Sequence, residues 1–192
     1  MTTQPELWLL VGGNGSGKST FHERFLARRN IPLVNADNIA RSLWPDSPEK
    51  HSYEAALIAE RERFRLLDEG LSLCFETVFS HPSKIDFVAS AKAAGYRIRM
   101  FCFHLEMPDL NKARVASRVQ AGGHRVPAKK IETRIPRTLS NVQACVGLVD
   151  ELHLVDNSSA EQPYCRVATF AEGDWQTHSR ELPDWAIRII EA

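Results

Sequence analysis

The sequence lacks an apolar run long enough to cross a bilayer, and its first residues, MTTQPEL, have neither a basic stretch nor an apolar core of the kind that directs export. A soluble, cytoplasmic protein is the expectation. It lacks a charge excess as well: Lys plus Arg and Asp plus Glu number 24 each, so no global field draws the chain to nucleic acid or anionic lipid. Any basic site is local. No two of the four cysteines form a C-x-x-C pair, and three of them lie inside apolar runs, which reads as buried free thiols in a reducing compartment. Internal repeats and low-complexity tracts are also missing. What remains is a chain of 192 residues, 43% of them hydrophobic, long enough to bury a core as one domain.

Along that chain short apolar runs alternate with helical patterns. Leu7 to Val11 predicts a strand buried on both faces, and Ser19 to Arg28 a helix. "IPLVNAD" gives a second strand, and a helix follows from about Glu49 to Glu69, with Tyr53, Leu57, Phe64 and Leu67 on one stripe, interrupted by Glu60. "LSLCFET" is a third strand, Ser83 to Ala94 a helix closed by Gly95, and "YRIRMFCFHL" a fourth strand, with Pro108 placed to open the next helix. Helical stretches at Leu110 to Gln120 and about Ile131 to Val149 flank "AGGHRVPAKK", and "ELHLVDN" is a fifth strand. This alternation predicts an α/β fold with a parallel five-stranded sheet flanked by helices. A C-terminal extension from about 158 to 192 carries a predicted hairpin near Gly173 and Asp174 and a short closing helix; Trp175 and Trp185 are read as packing residues.

Gly12 to Ser19 satisfies G-x-x-x-x-G-K-[ST] between a predicted strand and a predicted helix. Glycines let backbone N–H groups converge on anionic oxygens, and the helix points its positive end at them. Gly13, Asn14, Gly15, Ser16, Gly17 and Thr20 therefore read as phosphate cradle, Lys18 as its mobile charge and the Ser19 hydroxyl as a Mg²⁺ ligand, with ATP the natural occupant. The N-K-x-D segment of a GTPase is missing. Two other stretches are decoys. "QAGGHR" (Gln120 to Arg125) imitates a transporter ATPase signature but closes a helix instead of opening one, and "VGLVDE" imitates a Walker B although its apolar residues recur at helical spacing.

In an open parallel sheet, ligands gather beyond the carboxyl ends of the strands, which places Asn35, Asp37, Glu76 and Thr77 on one rim with the glycine loop. Asp37 is the candidate for accepting a proton from an attacking hydroxyl, or else a helix N-cap. Glu76 is read as part of a Mg²⁺ shell or as a contact to a substrate hydroxyl, and Thr77 and Ser80 as hydroxyl donors or caps. Arg114, Arg118, Arg125, Arg134 and Arg137 surround a Gly122-Gly123 break, the composition of a lid over about residues 114 to 137.

The segments "VNAD", "FETVFS" and "RVQAGGHRVP…IETRIPRTLSNV", in that order, give the chain its resemblance to the zeta toxin family, in particular its small stand-alone bacterial members. It runs from the first strand to about Asn157 and implies a P-loop kinase that phosphorylates a hydroxyl of UDP-N-acetylglucosamine at the expense of ATP. By position it implies that Lys18 and Ser19 hold phosphate and Mg²⁺, and that Asp37 is the catalytic base. Glu76 and Thr77 become substrate contacts, and Arg118 with Arg125 or Arg134 the lid clamp. Asn157 is placed near the adenine. A small antitoxin partner covering the ATP site belongs to the same expectation. The chain is shorter than the larger toxins, so the expected acceptor is UDP-N-acetylglucosamine or a related nucleotide sugar. An ATP-hydrolysing switch and a nucleoside or polynucleotide kinase stay open as alternatives.

Overall fold

The computed structural model describes residues 4–120 and 126–191. Its sheet is built on β1 (Glu6–Gly12), whose residues Leu7 to Gly12 are all buried. Leu7, Leu9 and Val11 face one layer of the core, while Trp8 and Leu10 face the other. Each fully buried leucine of this strand contributes about 1.5–3 kcal/mol. Parallel neighbours are β3 (Leu73–Thr77) on one side and β4 (Arg97–His104) on the other. β2 (Leu33–Val34) lies outside β3 and β5 (Glu151–Asp156) outside β4.

The five parallel strands match the expectation, but among the described residues the sheet has seven strands. β6 (Cys165–Ala171) pairs antiparallel with β5, and β7 (Asp174–Thr177) with β6, giving the order β2-β3-β1-β4-β5-β6-β7. The hairpin read from the tail therefore extends the main sheet, because β5 offers an otherwise open edge and pairing removes it.

Seven α-helices are described: α1 (Lys18–Phe21), α2 (Ala36–Leu43), α3 (Ser52–Asp68), α4 (Ser83–Ala93), α5 (Pro108–Gln120), α6 (Ala128–Ala144) and α7 (Asp184–Ile190). α1 continues as a π-helical turn and a 3-10 turn to Arg29, so the helix read from the sequence is present but changes its winding. Residues of α3, α4, α6 and α7 cover the larger core layer. Among the described residues no helix is long and apolar enough to cross a membrane.

Three local expectations are corrected. β2 is only two residues long, so Asp37 lies inside the first turn of α2. On α3 the stripe Tyr53, Leu57, Phe64 faces outward, with Tyr53 72% exposed; the buried face is Ala55, Ala59, Arg63, Leu66 and Leu67. Asp150 and Glu151 do not end a helix: they enter β5 at its amino end, where Asp150 accepts from the Ile98 amide and Lys92 Nζ, and Glu151 accepts from Arg97. That is the wrong end of the sheet for a Walker B acid.

Candidate active site

The carboxyl ends of β1, β2, β3 and β5 open into a single cleft of about 1510 Å³. Its floor is the glycine loop. Gly12, Gly15 and Gly17 have φ of +147°, +78° and +99°, and Gly17 caps α1 from the left-handed region. A Cβ on Gly12 would collide with the Phe103 carbonyl, and one on Gly17 with the Asn157 amide. Glycine is thus required here by conformation and by space at once.

The loop is held from outside by two elements. From α5, Asn111 Nδ2 donates to the Asn14 carbonyl at 2.8 Å. From the end of β5, Asn157 Nδ2 donates to the Ser16 carbonyl at 2.9 Å, and its Oδ1 accepts from the Tyr164 amide at 3.1 Å. Tyr164, in turn, donates its hydroxyl to the Gly17 carbonyl at 3.1 Å. Asn157 lines the cleft, yet its amide is used on both sides to brace the loop. Neither Asn111 nor Tyr164 belongs to a motif; only their contacts reveal them.

Lys18 is buried, and its ammonium donates to the carbonyls of Gly12 at 2.9 Å and Gly13 at 3.0 Å. Burial pulls its pKa below the ordinary lysine value, Glu76 and Asp37 oppose that, and Arg118 adds to it. One lysine thus feels two carboxylates and a guanidinium that arrive from α2, β3 and α5. Asp37 is therefore on the same side of the molecule as the glycine loop. It does not cap its helix: Asn35 does, with Oδ1 accepting from the amides of Asp37 at 2.8 Å and Asn38 at 3.3 Å. The Asp37 carboxylate is left for the cleft, which it lines.

Glu76 joins two predicted residues. Its Oε1 accepts from the Ser19 hydroxyl at 2.7 Å and its Oε2 from Asn35 Nδ2 at 2.7 Å. The Ser19 and Glu76 oxygens suit a hard cation such as Mg²⁺. Among the described residues no group of three or more His, Cys, Asp or Glu gathers in a way that could hold a metal ion.

Thr77 Oγ1 accepts from the Phe79 amide at 3.1 Å, fixing a turn in which buried Phe79 has φ +63°. Strain of this kind costs about 1–3 kcal/mol and persists where surrounding contacts impose it. Here α6 imposes it, Thr138 donating to the Val78 carbonyl at 2.7 Å and Asn141 to that of Phe79 at 2.9 Å. The same contacts set α6 across the cleft, where Arg134 lines the wall with Ser80, Thr20 and Arg118.

The arginines divide. Arg114 lines the cleft but donates to the Asn157 carbonyl at 2.9 Å. Arg137 is exposed and donates to the Thr133 carbonyl on its own helix, away from the cleft. Arg125 and the Gly122-Gly123 break lie outside the described residues.

Comparison with known proteins agrees with this architecture. Residues 7–137 match a family model described as AAA domain. An uncharacterized protein of Haemophilus influenzae is 26% identical over 126 residues, 62% of this chain and 89% of that one. Among solved structures, a chain of the AvrRxo1-ORF1:-ORF2 complex with ATP superposes with a TM-score of 0.72 at 16% identity, over 91% of this chain and 61% of that chain. A chain of the PezAT chromosomal toxin-antitoxin system of Streptococcus pneumoniae gives 0.67 at 16% identity, over 99% and 78%. A gluconokinase from Sinorhizobium meliloti gives 0.50 at 19% identity, over 85% and 87%. The chain spans about three fifths of the AvrRxo1 chain, and the shared fold is that of P-loop kinases.

Proposed function

The chain belongs to the AAA domain family, and from that premise we propose that it is an ATP-dependent phosphotransferase of zeta toxin type. Its acceptor is a hydroxyl of UDP-N-acetylglucosamine or a related nucleotide sugar. The observation that carries the proposal is the meeting of Asp37, Glu76 and Arg118 with Lys18 and Ser19 of the glycine loop in one cleft, where Glu76 accepts from the Ser19 hydroxyl at 2.7 Å.

In this reading the amides of residues 13 to 20 and Lys18 hold the phosphates of ATP. The acceptor hydroxyl oxygen forms a bond to the γ-phosphorus, the bond from that phosphorus to the β,γ-bridging oxygen breaks, and ADP leaves with the electron pair. The hydroxyl proton passes to the Asp37 carboxylate. Arg118 and Arg134 offset the charge that spreads over the equatorial oxygens, a role in which Arg125 joins them. Ser19, with Glu76 behind it, would hold Mg²⁺, which when bound would supply charge neutralisation to the phosphates. Asn35, Thr77 and Ser80 position the acceptor, and Asn157 shapes the nucleotide end of the cleft.

The ATP-hydrolysing switch loses its motif, since Asp150 and Glu151 sit at the opposite end of β5. Cytoplasmic location and a small protein partner over the ATP site complete the proposal; the AvrRxo1 and PezAT assemblies, each with a second protein, support the latter.

The test is an acceptor screen. The protein is incubated with ATP, Mg²⁺ and nucleotide sugars, nucleosides or short oligonucleotides, and products are read by mass spectrometry. A phosphorylated nucleotide sugar is expected. Product from an oligonucleotide alone, or hydrolysis without any acceptor product, contradicts the reading.

A further inference from the structure

The acceptor end of the cleft contains a buried cation that the transfer just described does not use. Arg63 lies on the inward face of α3 with Ala55 and Ala59, and its side chain is 2% exposed. The guanidinium carbon is 4.1 Å from the Phe75 ring centroid and 5.1 Å from that of Phe87. Its Nε and Nη2 have no hydrogen-bond partner among the described residues, and Glu60 approaches Nη2 only to 3.8 Å. Lys84, on the first turn of α4, is the second cation. Burial lowers the pKa of both, the Arg63 charge lowers that of Lys84 further, and Glu60 opposes the shift in each. Two positive charges share one carboxylate.

Packing does not account for Arg63. A guanidinium buried with unmade hydrogen bonds costs more than stacking on aromatic rings returns. An apolar side chain between Phe75 and Phe87 would avoid that cost. Arg63 also borders the cleft, as do Lys84, His81 and Ser80. A ligand entering this end brings oxyanions to a planar fork and an ammonium that carry an excess of positive charge, the chemistry that recognises phosphate.

We infer that Arg63 and Lys84 form a second anion subsite, which binds a phosphate or pyrophosphate group carried by the acceptor itself, apart from the phosphates on the glycine loop. The inference rests on the kinase reading of the cleft and deepens it: Arg63 and Lys84 are the residues that grip the diphosphate of the nucleotide sugar, and this grip presents its free hydroxyl to Asp37.

Inorganic pyrophosphate is titrated into the full chain with its glycine loop filled by a non-hydrolysable ATP analogue, and binding is followed by calorimetry. Binding is expected, and loss of one charge-assisted contact in Lys84→Met or Arg63→Met weakens it by about tenfold or more. Affinity for the ATP analogue stays unchanged. In the transfer assay, Lys84→Met raises KM for UDP-N-acetylglucosamine and leaves kcat near the wild-type value. Lys84 is partly exposed, so its variant tests the subsite even where Arg63→Met does not fold. Undiminished pyrophosphate affinity in Lys84→Met, or no pyrophosphate binding at all, overturns the inference while leaving the kinase reading intact. Pyrophosphate binding that responds to both substitutions, with no transfer to any acceptor, sinks the kinase reading and keeps the subsite.

Discussion

Glu76 grips the hydroxyl of Ser19, Oε1 accepting it at 2.7 Å, while its other oxygen holds Asn35 at the same distance. A carboxylate at the end of an apolar strand thereby orients one residue of the phosphate loop and one of the helix that bears Asp37. Glu76→Gln keeps the shape and removes the charge. The Mg²⁺ concentration for half-maximal transfer is expected to rise about tenfold, the usual scale for a group that orients a ligand. Metal-free binding of ATP is expected to hold; an unchanged Mg²⁺ requirement contradicts the assignment.

Gly17→Ala tests the loop. Its φ of +99° is costly for alanine, and the added carbon meets Asn157 Nδ2. A stability loss of more than about 1 kcal/mol is expected by chemical denaturation, together with loss of ATP binding. Retained ATP affinity would show that the loop does not need this geometry.

Tyr164→Phe removes only the hydroxyl that meets the Gly17 carbonyl at 3.1 Å. The expected cost is about 0.5–1.5 kcal/mol, which raises the Kd for ATP several-fold while the hairpin of β6 and β7 remains paired. Calorimetry checks it. No change in Kd removes the tail from the nucleotide site.

Thiol chemistry checks the core. Burial pushes the thiols of Cys74, Cys102 and Cys145 up to about 12, so their thiolate fraction at pH 8 is negligible, whereas Cys165 is exposed. A disulfide reagent at pH 8 is expected to titrate one thiol promptly in the folded protein and the other three only on unfolding. Prompt reaction of more than one contradicts the packing.

The glycine loop, the alternation of parallel strands with helices and the rim of acids were legible because each follows from local rules: glycine conformation, strand periodicity and the chemistry of strand ends. Asn111 and Tyr164 were not, since they reach the loop from 97 and 147 residues away and carry no spacing signal. Arg63 did have one. Ala55, Ala59 and Leu66 recur at helical spacing and put position 63 on the buried face, but the larger Tyr53, Leu57 and Phe64 suggest the opposite stripe. Ala55 and Ala59 are the residues buried there, while Tyr53 is exposed. The mixed sheet was hidden for another reason: whether a hairpin joins an existing edge depends on which edge is open, and no local pattern states that.

The most direct measurement is transfer of labelled γ-phosphate by Asp37→Asn. The substitution preserves shape, and the helix cap belongs to Asn35, so fold and ATP affinity are expected to match the wild type. Transfer is expected to fall by about a hundredfold to ten-thousandfold, the range for loss of a general base. Wild-type transfer with Asn at position 37 would contradict the account.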